Sequence, residues 1–362
     1  MNPAKEDQAS ALRLRGNELE KAVAACLEGP VAPVGVESMT GDASSRRYFR
    51  VKPKPDAAGE SAGSLVVMQL ERPVTGEPLD FILIQEFLHR LDLPVPGMFR
   101  YDAALGLLFL EDLGDETLEA RLGRSSPAEI SRWYDAAVDQ VALLQTRAKP
   151  SADTRVPAFH RRFDVDKLMW EMDFMLTHYV EGLLNSPLSA ARRRQVRQPL
   201  LALCRDLAGR DPCFVHRDYH SRNLMVHAGR LVMIDFQDAR LGPCQYDLVS
   251  LLRDAYFPLP EGVVEEKKER FLRQKEVLEG REMDRAGFHA GFDLMTIQRS
   301  LKAVGTFASQ KEIHGRDRYL PCIPRTLGYV QKALGNRPEW ASLQSALHEV
   351  VPGCGPDSGS RP

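Results

Sequence analysis

The stretch that decides the fold runs from Val215 to Gln237 and reads VHRDYHSRNLMVHAGRLVMIDFQ. Two apolar runs within it, Leu224–Val226 and Leu231–Ile234, flank a short polar turn at Ala228-Gly229. Apolar runs of this length on either side of a glycine-containing turn are typical of a β-hairpin. The sequence therefore predicts two short strands here, joined by a tight turn.

Three polar side chains, Asp218, Asn223 and Asp235, lie at the ends of this predicted hairpin. Because a hairpin folds its ends together, the three side chains can converge on one point. One carboxylate can accept the proton of a hydroxyl nucleophile, while an amide and a second carboxylate can supply oxygen ligands to magnesium on a nucleotide's phosphates. The spacing H-x-D-x-x-x-x-N, followed by a strand that ends in Asp, predicts a kinase. For a single residue of the three, a solvated loop acid or amide is the simpler interpretation.

The same residues resemble a known family. Phe236-Gln237-Asp238 after Asp235 is similar to the form found in the aminoglycoside phosphotransferase–choline kinase superfamily of small-molecule kinases. Within it, HRDYHSRNLM looks most like the cell-wall amino-sugar kinases, which phosphorylate the anomeric hydroxyl of N-acetylmuramate and N-acetylglucosamine. The later segments QRSLKAVGTF and RYLPCIPRTLGY are similar to the same enzymes, so that the resemblance spans roughly residues 35–335.

This resemblance implies an α+β, protein-kinase-like fold of two lobes with the active site between them. We expect a small β-rich N-lobe over residues 1–111, a larger and mostly helical C-lobe over residues 112–349, and a disordered tail over residues 350–362, which is rich in Pro, Gly and Ser. It also implies ATP as co-substrate, Mg²⁺ as cofactor and a small-molecule sugar as acceptor.

The resemblance gives roles to five residues of the central region. Asp218 would orient or deprotonate the acceptor hydroxyl, and Asn223 and Asp235 would hold Mg²⁺. His216 would brace the catalytic loop. Asp247 stands at a position suited to a helix N-cap, and the resemblance adds the possibility that it also braces the loop.

Nucleotide contacts are expected in the first third of the chain. The small, polar loop TGDASSRR (residues 40–47) would let backbone N–H groups approach a phosphate, and we assign Ser44, Ser45 and Arg47 to it. The run LLFLEDLG resembles the hinge between lobes, where backbone groups near Glu111 and Leu113 would hold adenine. A buried strand that ends at a turn would use the same residues.

One feature departs from the general kinase pattern. The strand that normally carries a phosphate-binding lysine reads LVVMQL, with Met68 and Gln69 at the candidate positions. Either Arg46, Arg47 or Arg50 replaces the missing charge, or the protein binds nucleotide poorly. The second possibility leaves open a nucleotide-binding pseudokinase as an alternative to an enzyme.

Acceptor residues are harder to predict. His220, Arg299 and Glu171 are the candidates, although Arg299 could equally be a surface residue and Glu171 reads more simply as an acid on a helix surface. Between residues 291 and 335, basic residues outnumber acidic ones. This favours a neutral or carboxylate-bearing sugar over a polycationic aminoglycoside or choline, which remain the alternative acceptors.

Bulk properties exclude several other classes. The chain has 362 residues, 43% of them hydrophobic and 27% charged, with a formal net charge of −2. These values give no electrostatic case for nucleic acid or membrane partners. Because no apolar signal core is present, we expect a cytoplasmic protein, either a monomer or a weak dimer. A zinc site could be imagined from Cys213, His216, His220 and Cys244, but their spacing matches no common zinc module.

Overall fold

The computed structural model describes residues 17–26, 34–39, 46–53, 63–74, 76, 78–150 and 155–352. The chain divides into two compact units, residues 1–116 and 117–362. The sequence predicts the boundary between the two lobes five residues earlier, after residue 111. Val350 and Val351 are buried, so the packed part of the chain extends into the segment expected to be disordered. The rest of that segment, residues 353–362, lies outside the described residues.

The smaller unit is built on an antiparallel sheet whose described strands run in the order β1-β2-β3-β5-β4. Its strands are β1 (Val34–Met39), β2 (Arg47–Pro53), β3 (Leu65–Gln69), β4 (Met98–Asp102) and β5 (Leu107–Glu111). Two helices accompany the sheet, α1 (Asn17–Cys26) and α2 (Asp80–Arg90). Strands β1 and β2 pair in antiparallel register from Val34–Pro53 to Met39–Tyr48.

Alternation along the strands gives this sheet an apolar face. Every second side chain of β2, β3 and β5 points to the same side, and those on one side form a buried cluster with Leu19 and Val23 of α1. The strand residues of this cluster are Phe49, Val51, Val67, Leu107 and Phe109. Burial of each such side chain stabilises the unit by roughly 1.5–3 kcal/mol. Helix α1 is thus held to the sheet by packing.

The larger unit is mostly helical. Its α-helices are α3 (Leu118–Leu122), α4 (Pro127–Arg147), α5 (Val165–Met175), α6 (Ala190–Ala208), α7 (Gln245–Leu252), α8 (Glu261–Glu279), α9 (Arg285–His314), α10 (Cys322–Gly335) and α11 (Ala341–His348). A π-helix, Leu176–Leu183, continues α5. Within the described residues, every helix is too short or too polar to cross a membrane.

Four short strands interrupt these helices. Strand β6 (Pro212–Val215) pairs with β9 (Arg240–Pro243), and β7 (Leu224–His227) pairs with β8 (Arg230–Met233), both antiparallel. The second pair is the hairpin predicted from the apolar runs, and it is confirmed. With a sheet-based small unit and a helical large unit, the α+β class is confirmed as well.

Helix α9 is the central helix of the larger unit. It begins at the cap residue Asp284, whose side chain accepts from the Gly287 N–H, and it ends at Gly315 in the left-handed conformation. Most of its middle turns are buried on all sides, as expected for a helix surrounded by others. At Gly305 a Cβ atom would lie 2.7 Å from Met175 Cα. Only glycine therefore permits α9 to approach the end of α5 this closely.

Candidate active site

The β7–β8 hairpin brings the predicted catalytic residues together. The Ile234 N–H donates to the Asn223 carbonyl at 3.0 Å, which closes the open end of the hairpin. Asn223 Nδ2 donates to the backbone oxygen of Asp218 at 2.9 Å and lies 3.4 Å from Asp235 Oδ2. Asn223 therefore links the backbone at Asp218 to the carboxylate of Asp235, residues that are 17 positions apart in the sequence.

The donor set at this place fits a magnesium ion. Asn223 uses its amide nitrogen for the contacts with Asp218 and Asp235, so its amide oxygen is the atom suited to a metal. Asp235 is exposed and supplies an anionic carboxylate. Hard oxygen ligands of this kind, with the rest of the coordination shell left to water and phosphate, are what Mg²⁺ requires.

Two residues of the loop have left-handed backbone conformations, Arg217 with φ 84° and Asp235 with φ 66°. Such conformations in residues other than glycine cost roughly 1–3 kcal/mol each and persist where surrounding bonds impose them. The Arg217 N–H donates to Asp247 at 3.0 Å, and Gln237 Nε2 donates to Asp235 Oδ1 at 2.6 Å. The two strained residues thus lie on either side of Asp218 and Asn223, and a hydrogen bond restrains each of them.

Asp247 lies against the catalytic loop. Its carboxylate accepts the backbone N–H groups of His216 at 2.7 Å and Arg217 at 3.0 Å. Burial raises the pKa of Asp247 to about 7, and the two N–H donors act in the opposite direction. The expectation that Asp247 caps a helix is wrong, because the N-cap of α7 is Cys244 and Asp247 lies inside the first turn. Its oxygens are used by the loop instead.

His216 is a buried, neutral side chain. Its Nε2 lies 3.0 Å from the carbonyl oxygen of Ile234, which links the start of the catalytic loop to the end of the hairpin. Burial lowers the pKa of His216 to about 4. A ring that is neutral at pH 7 and enclosed in the protein suits bracing better than proton transfer.

Two further anchors of the loop were missed by the sequence reasoning. Asp254 accepts both the backbone N–H and the hydroxyl of Ser221, at 2.9 and 2.5 Å. The hydroxyl of Tyr219 donates toward the carbonyl of Ala137 and the side chain of Gln140, both at 2.9 Å. In the sequence, Asp254 is recognisable as an acid shortly after an apolar helix. No local pattern indicates that Ser221 is its partner.

Cationic side chains surround Asp218. Its Oδ1 lies 3.3 Å from Lys302 Nζ and 4.0 Å from an Arg299 nitrogen, and its Oδ2 lies 3.8 Å from Arg217. Burial by itself would raise the pKa of Asp218. The charges of Lys302, Arg217 and Arg299 outweigh burial and hold this carboxyl pKa well below its ordinary value. Asp218 is therefore an ionised hydrogen-bond acceptor at neutral pH.

Of these cations, Arg299 was predicted and Lys302 was not. The two residues are three positions apart on α9, so they lie on the same side of the helix. Arg299 is buried, and its Nε has no hydrogen-bond partner within the described residues. The i, i+3 spacing of two bases on a mostly apolar helix was the signal that would have found Lys302.

His220 lies at the same site but as a neutral ring. It packs edge-on against Tyr256, with 5.4 Å between ring centroids. Burial lowers its pKa to about 3, while the charge of Asp218 acts to raise it. Its Nδ1 is enclosed and makes no hydrogen bond to the described part of the chain.

Glu171 is not a surface acid. Only 1% of the residue is exposed, so that interpretation of the sequence is wrong. Gln298 Nε2 donates to Glu171 Oε2 at 2.9 Å, and Lys167 Nζ lies 3.7 Å from Oε1. Because Gln298 directly precedes Arg299, these contacts form a polar seam between α5 and α9 that leads toward Asp218.

Known proteins similar to this chain are phosphotransferases and kinases. Residues 35–286 match the model of the phosphotransferase enzyme family, APH. The chain belongs to this family. It is 32% identical over 313 residues to the N-acetylmuramate/N-acetylglucosamine kinase of Neisseria meningitidis serogroup B, with 86% of this chain and 89% of that protein covered.

Solved structures show the fold of this kinase. A choline kinase from Cryptosporidium parvum superposes with a TM-score of 0.56 at 11% identity, covering 86% of this chain and 91% of that one. Aminoglycoside phosphotransferase APH(2'')-Ib, with ADP bound, superposes with a TM-score of 0.54 at 13% identity, covering 86% and 97%. The predicted protein-kinase-like fold and the membership of the superfamily are confirmed. The chain is an enzyme that phosphorylates a hydroxyl group.

The residues predicted to bind nucleotide lie in the smaller unit of the kinase. Ser44 and Ser45 fall outside the described residues. Glu111 ends β5, where its side chain accepts the Gly97 N–H at 2.9 Å and its own N–H donates to the Gly97 carbonyl at 2.8 Å. Leu113 is buried. An adenine contact at Glu111 would therefore use an atom other than its N–H.

The candidate replacements for the missing lysine have different surroundings. Met68 is fully buried. Arg47 lies over the Phe49 ring at 4.8 Å and reaches Gln69 Oε1 at 3.4 Å across the β2–β3 pair. Arg50 binds Asp112 at 2.7 Å and Asp115 at 2.9 Å, which ties β2 to the segment that follows β5. Arg47 thus makes weaker contacts within the protein than Arg50 does.

We expect Arg47→Ala to raise the KM for ATP by about tenfold or more, because a hydrogen bond to a charged group contributes about 1.5–3 kcal/mol. Arg46→Ala and Arg50→Ala test the same idea, and thermal melts separate binding from the loss of the Arg50–Asp112 pair. Steady-state kinetics with varied ATP give the KM. Lys52→Ala is the matched control, since its charge is exposed and pairs with Glu37. If all three arginine variants keep a KM within twofold of the native value, none of these arginines replaces the charge of the missing lysine.

Proposed function

We propose that this kinase transfers the terminal phosphoryl group of ATP to the anomeric hydroxyl of N-acetylmuramate or N-acetylglucosamine. The observation that carries the choice of acceptor is the positive charge around Asp218, where Lys302 lies at 3.3 Å and Arg299 at 4.0 Å. Support for an amino sugar comes from the kinase of Neisseria meningitidis to which the chain is 32% identical. Support for an adenine nucleotide comes from the ADP bound in the aminoglycoside phosphotransferase of the same fold.

Charge separates the proposed acceptors from the alternatives. An aminoglycoside carries several ammonium groups and choline carries one quaternary ammonium, so either would need acidic neighbours to replace the water it loses. Here three cations, Lys302, Arg299 and Arg217, lie within 4.0 Å of the Asp218 carboxylate. A neutral sugar meets no such repulsion, and a carboxylate-bearing sugar is attracted.

The chain's residues would divide the reaction between them. Asp218 would accept the hydrogen bond of the acceptor hydroxyl and take up its proton as the new O–P bond forms. Asn223 and Asp235 would hold Mg²⁺, which when bound neutralises phosphate charge and orients the transferring group. Asp247 and His216 would keep the loop rigid through the bonds described above.

Further residues would bind the sugar and the nucleotide. His220, Arg299 and Glu171 would contact or orient the sugar, and the nucleotide would be bound by Ser44, Ser45, Arg47, Glu111 and Leu113. We place the reaction in the cytoplasm, where ATP is available, and expect a monomer or weak dimer that needs no nucleic acid or membrane partner.

A panel of acceptors tests this function. We expect N-acetylmuramate or N-acetylglucosamine to be phosphorylated with a kcat/KM at least about 100-fold above that of kanamycin or choline, since unpaired buried charge discriminates strongly. ADP release in a coupled assay with ATP and Mg²⁺ measures each rate. The methyl glycoside of N-acetylglucosamine is the matched control, because it lacks only the anomeric hydroxyl and should not react.

The product identifies the position. A phosphate at the anomeric carbon should be released by mild acid, whereas a phosphate on another hydroxyl should survive. A stable product, or turnover of the methyl glycoside, would rule out the anomeric position while leaving a sugar kinase. Efficient phosphorylation of kanamycin would overturn the acceptor assignment.

A further inference from the structure

The cations around Asp218 are not equivalent. Arg217 binds Asp238 at 2.7 Å and has a strained backbone held by Asp247. Arg299 is buried, with its guanidinium 5.9 Å from the Tyr246 ring centroid. The side chains of Lys302 and Arg217 are similarly exposed, at 17% and 19%, but Lys302 lies closer to the Asp218 carboxylate, at 3.3 Å against 3.8 Å. Lys302 is therefore the cation best placed to meet a bound ligand.

The distance from Lys302 to Asp218 also limits its distance from the reacting atoms. Lys302 Nζ lies 3.3 Å from Asp218 Oδ1. An acceptor hydroxyl that bonds to the same oxygen, Asp218 Oδ1, does so at about 2.6–3.2 Å, so its oxygen must lie within about 6.5 Å of Lys302 Nζ. The phosphorus attacked by that oxygen must lie next to it and is therefore also close to Lys302. A flexible ammonium can close the remaining gap by rotation about its four-carbon chain.

Phosphoryl transfer makes a cation at this place useful. The transition state spreads negative charge over the equatorial oxygens of the phosphoryl group, and catalysis consists largely of placing positive charge against them. In the smaller unit, the strand position that would carry a lysine holds the fully buried Met68. The catalytic loop itself has neutral His220 two residues after Asp218. Helix α9 offers the charge that these positions lack.

We propose that Lys302 is a catalytic residue whose ammonium moves from Asp218 to the phosphoryl group in transit. The inference rests on the proposed function, in which ATP is the donor. In the step, the acceptor oxygen forms a bond to the terminal phosphorus and the bond from that phosphorus to the bridging oxygen of ADP breaks. The hydroxyl proton passes to Asp218, which Lys302 releases, and Lys302 stabilises the charge on the transferring oxygens.

The rival explanation is that Lys302 only holds Asp218 in place. Loss of a positioning lysine would lower kcat without changing the affinity for a mimic of the transferring phosphoryl group, whereas loss of a lysine that contacts the phosphoryl group would lower both. The two roles therefore differ in which measured constant changes.

Lys302→Met tests the inference. We expect kcat to fall by about 10²–10³-fold, the cost of removing one donor to developing charge, while the Kd for Mg-ATP stays within threefold. The affinity for ADP with Mg²⁺, aluminium fluoride and acceptor, which imitates the transferring phosphoryl group, should fall by a similar factor. Lys302→Arg should recover at least a tenth of the native kcat, and Lys302→Gln should not. Circular dichroism and thermal melts check the fold of each variant.

Lys311→Met is the control, since this lysine lies on the same helix but its side chain is 41% exposed and pairs with Asp317. It should keep native kcat. The inference is overturned if Lys302→Met or Lys302→Gln retains kcat within threefold, or if aluminium fluoride complexes bind the variants as tightly as the native enzyme. All rates are taken with the best acceptor of the panel. A native enzyme inactive on amino sugars would refute the proposed function, while an active one unaffected by Lys302 variants would refute this inference alone.

Discussion

Replacing Asp218 with Asn is expected to lower kcat by about 10²–10⁴-fold, the usual contribution of a positioned base. The amide keeps the shape of the side chain but loses the charge that accepts the acceptor's proton. Because Asn223 binds the backbone oxygen of Asp218 and not its side chain, the metal ligands should stay in place. The Kd for Mg-ATP should therefore remain within a few-fold of the native value.

Single-turnover kinetics and calorimetry measure these two quantities separately. Asp211→Asn is a suitable control, because this acid is exposed and immediately precedes β6. It should behave as the native enzyme. Comparable turnover by Asp218→Asn and Asp211→Asn would remove Asp218 from the catalytic role.

Asp235→Asn should abolish the gain in nucleotide affinity that Mg²⁺ provides. A hard cation needs anionic oxygen ligands, and loss of even outer-shell partners costs about 10–100-fold in metal affinity. Asn is the right substitution, because it tolerates the left-handed conformation that Asp235 adopts at φ 66°. The variant thus removes charge without adding backbone strain.

Titration of ATP in the presence and absence of Mg²⁺ measures the effect of Asp235→Asn. In the native enzyme the two affinities should differ, and in the variant they should converge. If the Mg-ATP affinity and the rate are both unchanged, the metal is bound elsewhere.

The centre of the site could be predicted because its geometry is local. The runs Leu224–Val226 and Leu231–Ile234 have a local pattern typical of a hairpin, and a hairpin brings Asn223 and Asp235 together. Lys302 lies 84 residues from Asp218 in sequence, and Asp254 lies 33 from Ser221. Contacts of this range depend on how helices pack, which no short pattern encodes.

Two wrong predictions have related causes. Asp247 was predicted to be a helix N-cap because Asp is favoured at that position. Its carboxylate instead accepts the backbone N–H groups of His216 and Arg217. Glu171 was assigned to a surface because acids usually lie there, and the hydrogen bond from Gln298 allows it to be buried. In both cases a tertiary hydrogen bond outweighed the local tendency.

The contact of Gly305 with Met175 has a consequence for substrate choice. Where Gly305 meets Met175 the two helices approach backbone to backbone, so at this point they cannot slide past each other without a clash. Lys302 is one turn from Gly305 on α9, and Glu171 is one turn from Met175 on α5. In the proposed acceptor site these two groups would thus be held in a fixed arrangement, which a larger acceptor would have to fit.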